Sequence, residues 1–145
     1  MRIYIKRLND SAVIPTHGSP FAAGYDLHAC FDDSIKIIHP HTTMKIGTGL
    51  AVAIPEGYFG AIFARSGLAT KEGLRPANCV GVIDSDYRGE IIVAVHNDSM
   101  EGRFIRNGDR IAQLVILPFL PAEFEEVYNL DITTRGEGGF GSTGK

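Results

Sequence analysis

Asp84 closes an apolar run, Val80, Val82 and Ile83, and opens the stretch DSDYRGE at residues 84–90. A hairpin needs only the aspartates and the glycine of that stretch. It does not need a carboxylate at the strand's last position with Tyr87, Arg88 and Glu90 crowded behind it. A carboxylate on the rim of a strand can orient and deprotonate a water molecule. The plainer alternative is a turn dressed with surface ion pairs.

Three more stretches carry groups that an ordinary β-domain does not require. In ARSGLA, residues 64–69, a strand runs into Arg65, Ser66 and Gly67 before a helical turn. Arg65 offers a fork of donors, Ser66 a hydroxyl, and Gly67 a backbone N–H that no side chain shields. N–H groups at the start of a helix attract anions, so this is a candidate phosphate cradle, although such turns are common. In AAGYDLHA, residues 22–29, Asp26 sits among small and apolar neighbours. A carboxylate there must be paired or hydrogen-bonded, either to brace an arginine or turn, or beside a metal ion or phosphate cluster. In GDRIAQLVI, residues 108–116, Gly108 and Asp109 are turn residues. Gln113 interrupts the apolar series Ile111, Leu114, Val115, Ile116. It either faces solvent or reaches a ligand from a rigid strand.

The elements that must position these groups are short strands. Seventeen glycines and seven prolines cut the chain into pieces rich in Val, Ile, Phe and Tyr. Strands are expected in MRIYIKRL, GYDLHA, SIKIIHP, TMKIGTGLAVAIP as one run to Pro55, YFGAIFAR, NCVGVID, GEIIVAVHN, DRIAQLVILPF and AEFEEVYNL. Their even spacing favours an antiparallel sandwich or jelly roll over βαβ units. RSGLATKEG is the best helix signal, with Ser66 as a cap, and Gly67 and Gly73 limit it to two turns. The tail RGEGGFGSTGK, residues 135–145, has too few apolar groups to build a core.

With 145 residues, 44% of them hydrophobic, the chain suits one domain burying roughly two-thirds of its unfolded surface. A net charge of −3 offers no general attraction for nucleic acid. Cys30 and Cys79 form neither a disulfide framework nor a C-x-x-C pair, which favours a reducing compartment. No stretch approaches the roughly 18 apolar residues of a membrane-spanning helix, and the N-terminus lacks a signal-peptide core. The expectation is a cytoplasmic protein. The five histidines, 17, 28, 39, 41 and 96, show no zinc spacing. GFGSTGK matches the G-x-x-x-x-G-K skeleton of a nucleotide-binding loop but lacks its following Ser or Thr and its strand–helix context.

Taken in order, AAGYDLHA, ARSGLA, GVIDSDYRGEI, GDRIAQLVI and RGEGGFGSTG resemble the five motifs of the trimeric dUTP pyrophosphatases, the dUTPases. The resemblance spans essentially the whole chain. Ala64 departs from it, since family members commonly carry proline there. The resemblance implies an all-β, jelly-roll-like subunit of the β-clip type with at most one short helix, assembled as a threefold trimer. It implies a β-domain over 1–130 and a glycine-rich arm over 131–145 that closes an active site in the trimer. Each site would take its first, second and fourth motifs from one chain, its third from a neighbour and its arm from the last.

The implied reaction converts dUTP and water to dUMP and pyrophosphate, limiting uracil in DNA and supplying dUMP for thymidylate synthesis. By the same resemblance Asp84 activates the water that attacks the α-phosphorus. Arg65, Ser66, Gly67 and Gln113 hold phosphates, and Arg135 adds charge near the terminal one. Asn78, six residues before Asp84, reads uracil, and Tyr87 carries the deoxyribose and excludes a 2′-hydroxyl. Phe140 stacks on the base, an interaction worth about 1–3 kcal/mol in nucleic-acid systems. Mg2+ is the implied cofactor, held on the triphosphate without direct protein ligands, with Asp26 near it through metal-bound water or bracing an arginine. The implied partners are dUTP and two further copies of the chain, with no nucleic acid and no membrane. Three rivals remain: a dCTP deaminase of the same fold family, a catalytically silent trimer with a binding or regulatory role, and a general nucleoside triphosphate pyrophosphatase, against which the Tyr87 and Phe140 arrangement implies selectivity. Ammonia release from dCTP marks the first. Loss of Asp84, Tyr87 or the arm would mark the second, and all are present.

Overall fold

The computed structural model describes residues 1–139. Within them the chain forms strands β1 (Tyr4–Arg7), β2 (Tyr25–His28), β3 (Ile35–Ile38), β4 (Thr43–Gly47), β5 (Leu50–Ala53) and β6 (Tyr58–Phe63). After one helical turn, Leu68–Glu72, come β7 (Leu74–Pro76), β8 (Gly81–Ile83), β9 (Ile92–Asn97), β10 (Arg103–Arg106) and β11 (Arg110–Pro118). All pairing among them is antiparallel. The sheets are β1-β5, β3-β10, β4-β9-β7 and β2-β11-β6-β8. An all-β chain with one short helical turn is the expected class.

The strands are short because turn residues recur every few positions, and each buries one face. In β9, Val93, Val95 and Asn97 point inward while Ile92, Ala94 and His96 do not. The inward faces meet in a core built on Leu27, Ile38, Ile46, Val95, Ile105 and Leu114. Asn97 is a polar member of that interior, and its amide is fully employed. Its Nδ2 donates to the Ile38 carbonyl at 2.9 Å and the Glu101 carbonyl at 2.7 Å, and its Oδ1 accepts from the Ser99 N–H at 2.9 Å.

Several expectations need correction. The run 43–55 is two strands, because Thr48 and Gly49 turn a corner between β4 and β5. β7 and β10 were not expected. Leu74–Pro76 is very short and carries a proline, and Arg103–Arg106 flanks its one buried side chain, Ile105, with arginines. Ser66 does not cap the helical turn. The N-cap position is Gly67 with no side-chain cap, and the turn is wound as π-helix ending at Gly73 with φ +69°. Finally, 122–130 forms no strand and is exposed throughout. Its apolar residues find no partner strand within the described chain.

The β4–β5 corner is packed tightly. The Thr48 side chain is fully buried and its hydroxyl donates to the Ile91 carbonyl at 2.7 Å. Gly49 has φ +67°, and a Cβ there would lie 2.8 Å from Cys30 Sγ and 2.9 Å from Ala12 Cβ. Gly57, in the turn before β6, has φ +81° but open space around it. Gly49→Ala therefore combines backbone strain with overpacking and should cost about 2–4 kcal/mol. Gly57→Ala carries the strain alone and should cost about 1–2 kcal/mol. Urea unfolding of both variants checks the order. Equal midpoints would contradict it.

On the outer face of β4-β9-β7, Arg75 forks onto Asp98 at 2.6 and 3.1 Å. That hydrogen bond holds the Asp98 carboxyl below its ordinary value of 3.8. A carboxyl lowered by folding stabilises the native state above its unfolded pKa, and that stabilisation disappears as pH falls through the folded value. Asp98→Asn should therefore lower the urea midpoint near neutral pH, and the gap should close as pH drops below 3.8. A gap that persists in acid would contradict this origin.

Candidate active site

β11 is paired on both edges, and Gln113 is the residue where both partners matter. It lies opposite Asp26 on β2 and opposite Phe63 on β6. Arg65, Ser66 and Gly67 follow directly from the end of β6. One register thus delivers three of the sequence motifs to one place. They line a cleft of about 240 Å³ whose walls include Asp26, Arg65, Ser66, Gly67, Arg110 and Gln113.

Asp26 organises this cleft. Its Oδ1 forms an ion pair with Arg65 Nε at 3.2 Å, and its Oδ2 accepts a hydrogen bond from Arg110 Nη1 at 3.1 Å. Arg65 Nη1 also donates to the Arg110 carbonyl at 3.0 Å. In the structure the Asp26 carboxylate is paired with both arginines. Two guanidinium groups share one carboxylate, so the cluster keeps a net positive charge suited to an anion. Arg110 was missed as a site residue. The available signal was its place at the head of an apolar strand, as a counter-charge for the lone Asp26.

Gln113 does not face open solvent. Its Nε2 donates to the Ala64 carbonyl at 2.9 Å, which ties β11 to the chain just before Arg65. Gly24 permits this, because a Cβ there would collide with the Gln113 side chain. Gly67 is different. It has ordinary helical angles, φ −63° and ψ −44°, and among the described residues a Cβ there would touch nothing within 4 Å. Neither backbone conformation nor packing among the described residues requires glycine at 67. Close approach by something outside the chain would.

Asn78, Asp84 and Tyr87 lie elsewhere. On β8, Ile83 opposes Gly60 and Gly81 opposes Ile62. Asp84 therefore leaves the sheet beyond the Gly60 level, while Arg65 leaves it beyond Phe63 at the other end of β6. At about 3.3 Å per residue the two are separated by roughly 20 Å along the strand direction. Asp84 is exposed, and among the described residues its carboxylate has no hydrogen-bond or ion-pair partner. Tyr87 is 42% exposed and donates its hydroxyl to the Glu90 carbonyl at 3.0 Å. Asn78 lies against Gly81 in the turn before β8. The chain therefore presents two half-sites: a cationic cleft, and a hairpin bearing a free carboxylate and an open aromatic ring.

Arg135 belongs to neither half-site. It sits in an exposed turn where its Nε donates to the Gly138 carbonyl at 2.8 Å. Phe140 lies outside the described residues.

A family model described as dUTPase matches residues 10–144. The chain belongs to the dUTPase family. It is 51% identical over 145 residues to the deoxyuridine 5'-triphosphate nucleotidohydrolase of Desulfitobacterium hafniense strain DSM 10664 / DCB-2, covering 99% of this chain and 95% of that one. It is also 51% identical over 145 residues to the Nautilia profundicola enzyme of the same name, covering 100% of both. Among solved structures, a Staphylococcus bacteriophage 80alpha dUTPase with dUpNHpp matches with a TM-score of 0.89 at 29% identity, covering 99% of each chain. A dUTPase of phage phi11 of S. aureus, solved for its coordination of a structural Mg(II) ion, matches with a TM-score of 0.81 at 25% identity. That alignment covers 91% of this chain and 100% of that one.

If the cleft binds phosphate, Arg65 is its centre. Arg65→Ala should weaken inorganic pyrophosphate binding by about tenfold or more, since one charge-assisted donor fork is lost. Isothermal titration calorimetry measures the change, and the urea midpoint should move little because Arg110 still pairs with Asp26. Affinity within about twofold of wild type would remove Arg65 from that role.

Proposed function

We propose that this dUTPase-family chain hydrolyses dUTP to dUMP and pyrophosphate, limiting uracil in DNA and supplying dUMP for thymidylate synthesis. The observation that carries the site assignment is the register of β6. It puts the cationic cleft at one end of the strand and Asp84 near the other. A general base must come within hydrogen-bond reach of its water, about 3 Å. One subunit holds its own Asp84 roughly 20 Å from Arg65, far too distant to serve the same phosphate. A second copy brings its hairpin to the first copy's cleft, and a closed threefold ring does this for every copy.

In such a trimer, Arg65, Ser66, Gly67 and Gln113 hold the phosphate chain, with Arg110 as a further cation. Asp84 of a neighbouring copy takes a proton from water as the water oxygen bonds to the α-phosphorus. The bond from that phosphorus to the bridging oxygen breaks, and pyrophosphate leaves. The arginines stabilise the charge that accumulates on the phosphate oxygens. Asn78 reads the uracil edge, and Tyr87 lies beneath the sugar where a 2′-hydroxyl would sit. Asp26 positions both arginines.

Mg2+ fits this site as a companion of the substrate. Among the described residues no three His, Cys, Asp or Glu side chains converge on a metal position, and both Asp26 oxygens are engaged in ion pairs with guanidinium groups. The triphosphate oxygens and water are its natural ligands, and its contribution there is to neutralise phosphate charge. Asp26 would meet it only through water.

The C-terminal segment supports assembly. After Pro118 the described chain carries Leu120 at 92%, Phe124 at 95% and Leu130 at 83% exposure. Apolar groups so open in one subunit gain most by packing on another copy. Residues 131–145, with Arg135 and Phe140, then reach a neighbour's site as a closing arm over the 1–130 domain. The two free cysteines are compatible with a cytoplasmic setting.

Subunit mixing tests the shared site. Asp84→Asn in the full chain should lose about 10²–10⁴-fold in kcat while still binding a non-hydrolysable dUTP analogue. A chain lacking residues 135–145 should keep its assembly and its urea midpoint but lose most activity. When the two are mixed and exchange subunits, activity should rise above either parent, because some sites combine an intact Asp84 with an intact arm. Verified exchange without recovery would refute a site shared between copies.

A further inference from the structure

The turn 85–90 holds Tyr87, yet it is anchored by little. Arg88 Nη1 donates to the Ser85 carbonyl at 2.6 Å and the Tyr87 carbonyl at 2.9 Å, both inside the turn. The Tyr87 N–H donates to the Asp84 carbonyl at 3.2 Å and its hydroxyl to the Glu90 carbonyl at 3.0 Å. Apart from that bond to Asp84, next in the chain, one hydrogen bond among the described residues joins residues 85–90 to the rest of the chain. Glu90 Oε1 accepts the Gly49 N–H at 2.7 Å.

The surroundings are shaped for that contact. A Cβ at Gly47 would collide with the Glu90 carboxylate, and Gly49 takes φ +67°, which turns the corner on which its N–H is presented. The corner itself is rigid. Thr48 is buried and bonded to the Ile91 carbonyl, and the Ile91 N–H donates to Leu50 at 2.8 Å. On the other side, Gly89 clears space for the Tyr87 ring, since a Cβ at 89 would strike it. A continuous path runs from the buried corner through the Glu90 side chain to the Glu90 backbone, whose carbonyl receives the Tyr87 hydroxyl.

We propose that Glu90 is a positioning residue that sets sugar selection: its carboxylate pins the turn to the β4–β5 corner and thereby fixes the Tyr87 ring. The proposal rests on the reading of Tyr87 as the platform under the deoxyribose. Glu90 touches neither substrate nor reacting atoms. Its effect is on the height and tilt of the ring, and a small displacement of a positioning group changes discrimination strongly. With the anchor cut, the turn can yield to an extra hydroxyl that a fixed ring would reject.

The test is the ratio of kcat/KM for dUTP to kcat/KM for UTP, measured on the full chain with Mg2+. A fall in folded or assembled protein scales both substrates together and leaves this ratio unchanged. Tyr87→Ala should lower it by roughly a hundredfold, and Glu90→Ala by roughly tenfold. Glu90→Gln should keep it near wild type, because the amide oxygen still accepts the Gly49 N–H. If Glu90→Ala gives no soluble protein, Glu90→Asp replaces it, since its carboxylate falls one methylene short of Gly49. A ratio unmoved by Tyr87→Ala overturns the reading of Tyr87 and the proposal with it. A ratio moved by Tyr87→Ala but not by loss of the Glu90 contact overturns the role of Glu90 alone. A Gln variant as unselective as the Ala variant also overturns it, since the hydrogen bond would then not be the anchor.

Discussion

The pairing of β11 with β2 on one edge and β6 on the other is the constraint on which the rest depends. It is set at Gln113, which faces Asp26 across one ladder and Phe63 across the other. A slip of one residue on either side would turn Asp26 or Gln113 to the opposite face. The carboxylate would then lose both arginines, and the net positive cleft would not exist. Buried neighbours hold the register in place. Ala112 and Leu114 sit on either side of Gln113 in the interior, and Leu27 follows Asp26 into the core. The same alternation that fills the core therefore points the polar residues at the site.

That arrangement also keeps the cationic cleft and Asp84 of one subunit far apart. β6 is a rigid spacer with arginine chemistry at one end and the Asp84 hairpin alongside the other. No side-chain movement closes a gap of roughly 20 Å. A site made between copies places its acid–base group and its phosphate-binding group on separate rigid bodies. Apolar residues after Pro118, Leu120, Phe124 and Leu130 among them, are likewise left open to water in the single subunit.

Rigidity is distributed unevenly. The cleft is cross-braced by Asp26, Arg65, Arg110 and Gln113, each with at least one partner on a different element. Among the described residues, the hairpin turn is hydrogen-bonded beyond Asp84 only through Glu90. Phosphate binding needs a fixed array of donors, whereas reading a sugar and base depends on a small number of surfaces at the right height. A single anchor beyond its own hairpin leaves the turn freer to adjust than the cross-braced cleft.

The sequence by itself determined the class of the fold and the motifs. Short apolar runs between glycines and prolines led to antiparallel strands, and the five motifs led to the family, because both are local properties of the chain. Asp84, Tyr87 and Gly67 could be singled out because each is odd for its immediate neighbourhood. The corrections at β7, at β10 and at residues 122–130 share one cause. β7 and β10 are too short and too polar to announce themselves, and they are strands because β9 and β3 lie beside them. Residues 122–130 have strand-like composition but no partner within the described chain, so composition alone misplaced them. Tertiary structure alone decided that Asp26 serves two arginines, that Arg110 joins the cleft, that Gly24 exists to admit Gln113, and that Glu90 ties the hairpin to the β4–β5 corner. Each is a contact across dozens of residues, and a pairing at such separation follows from register and packing, which no local pattern encodes.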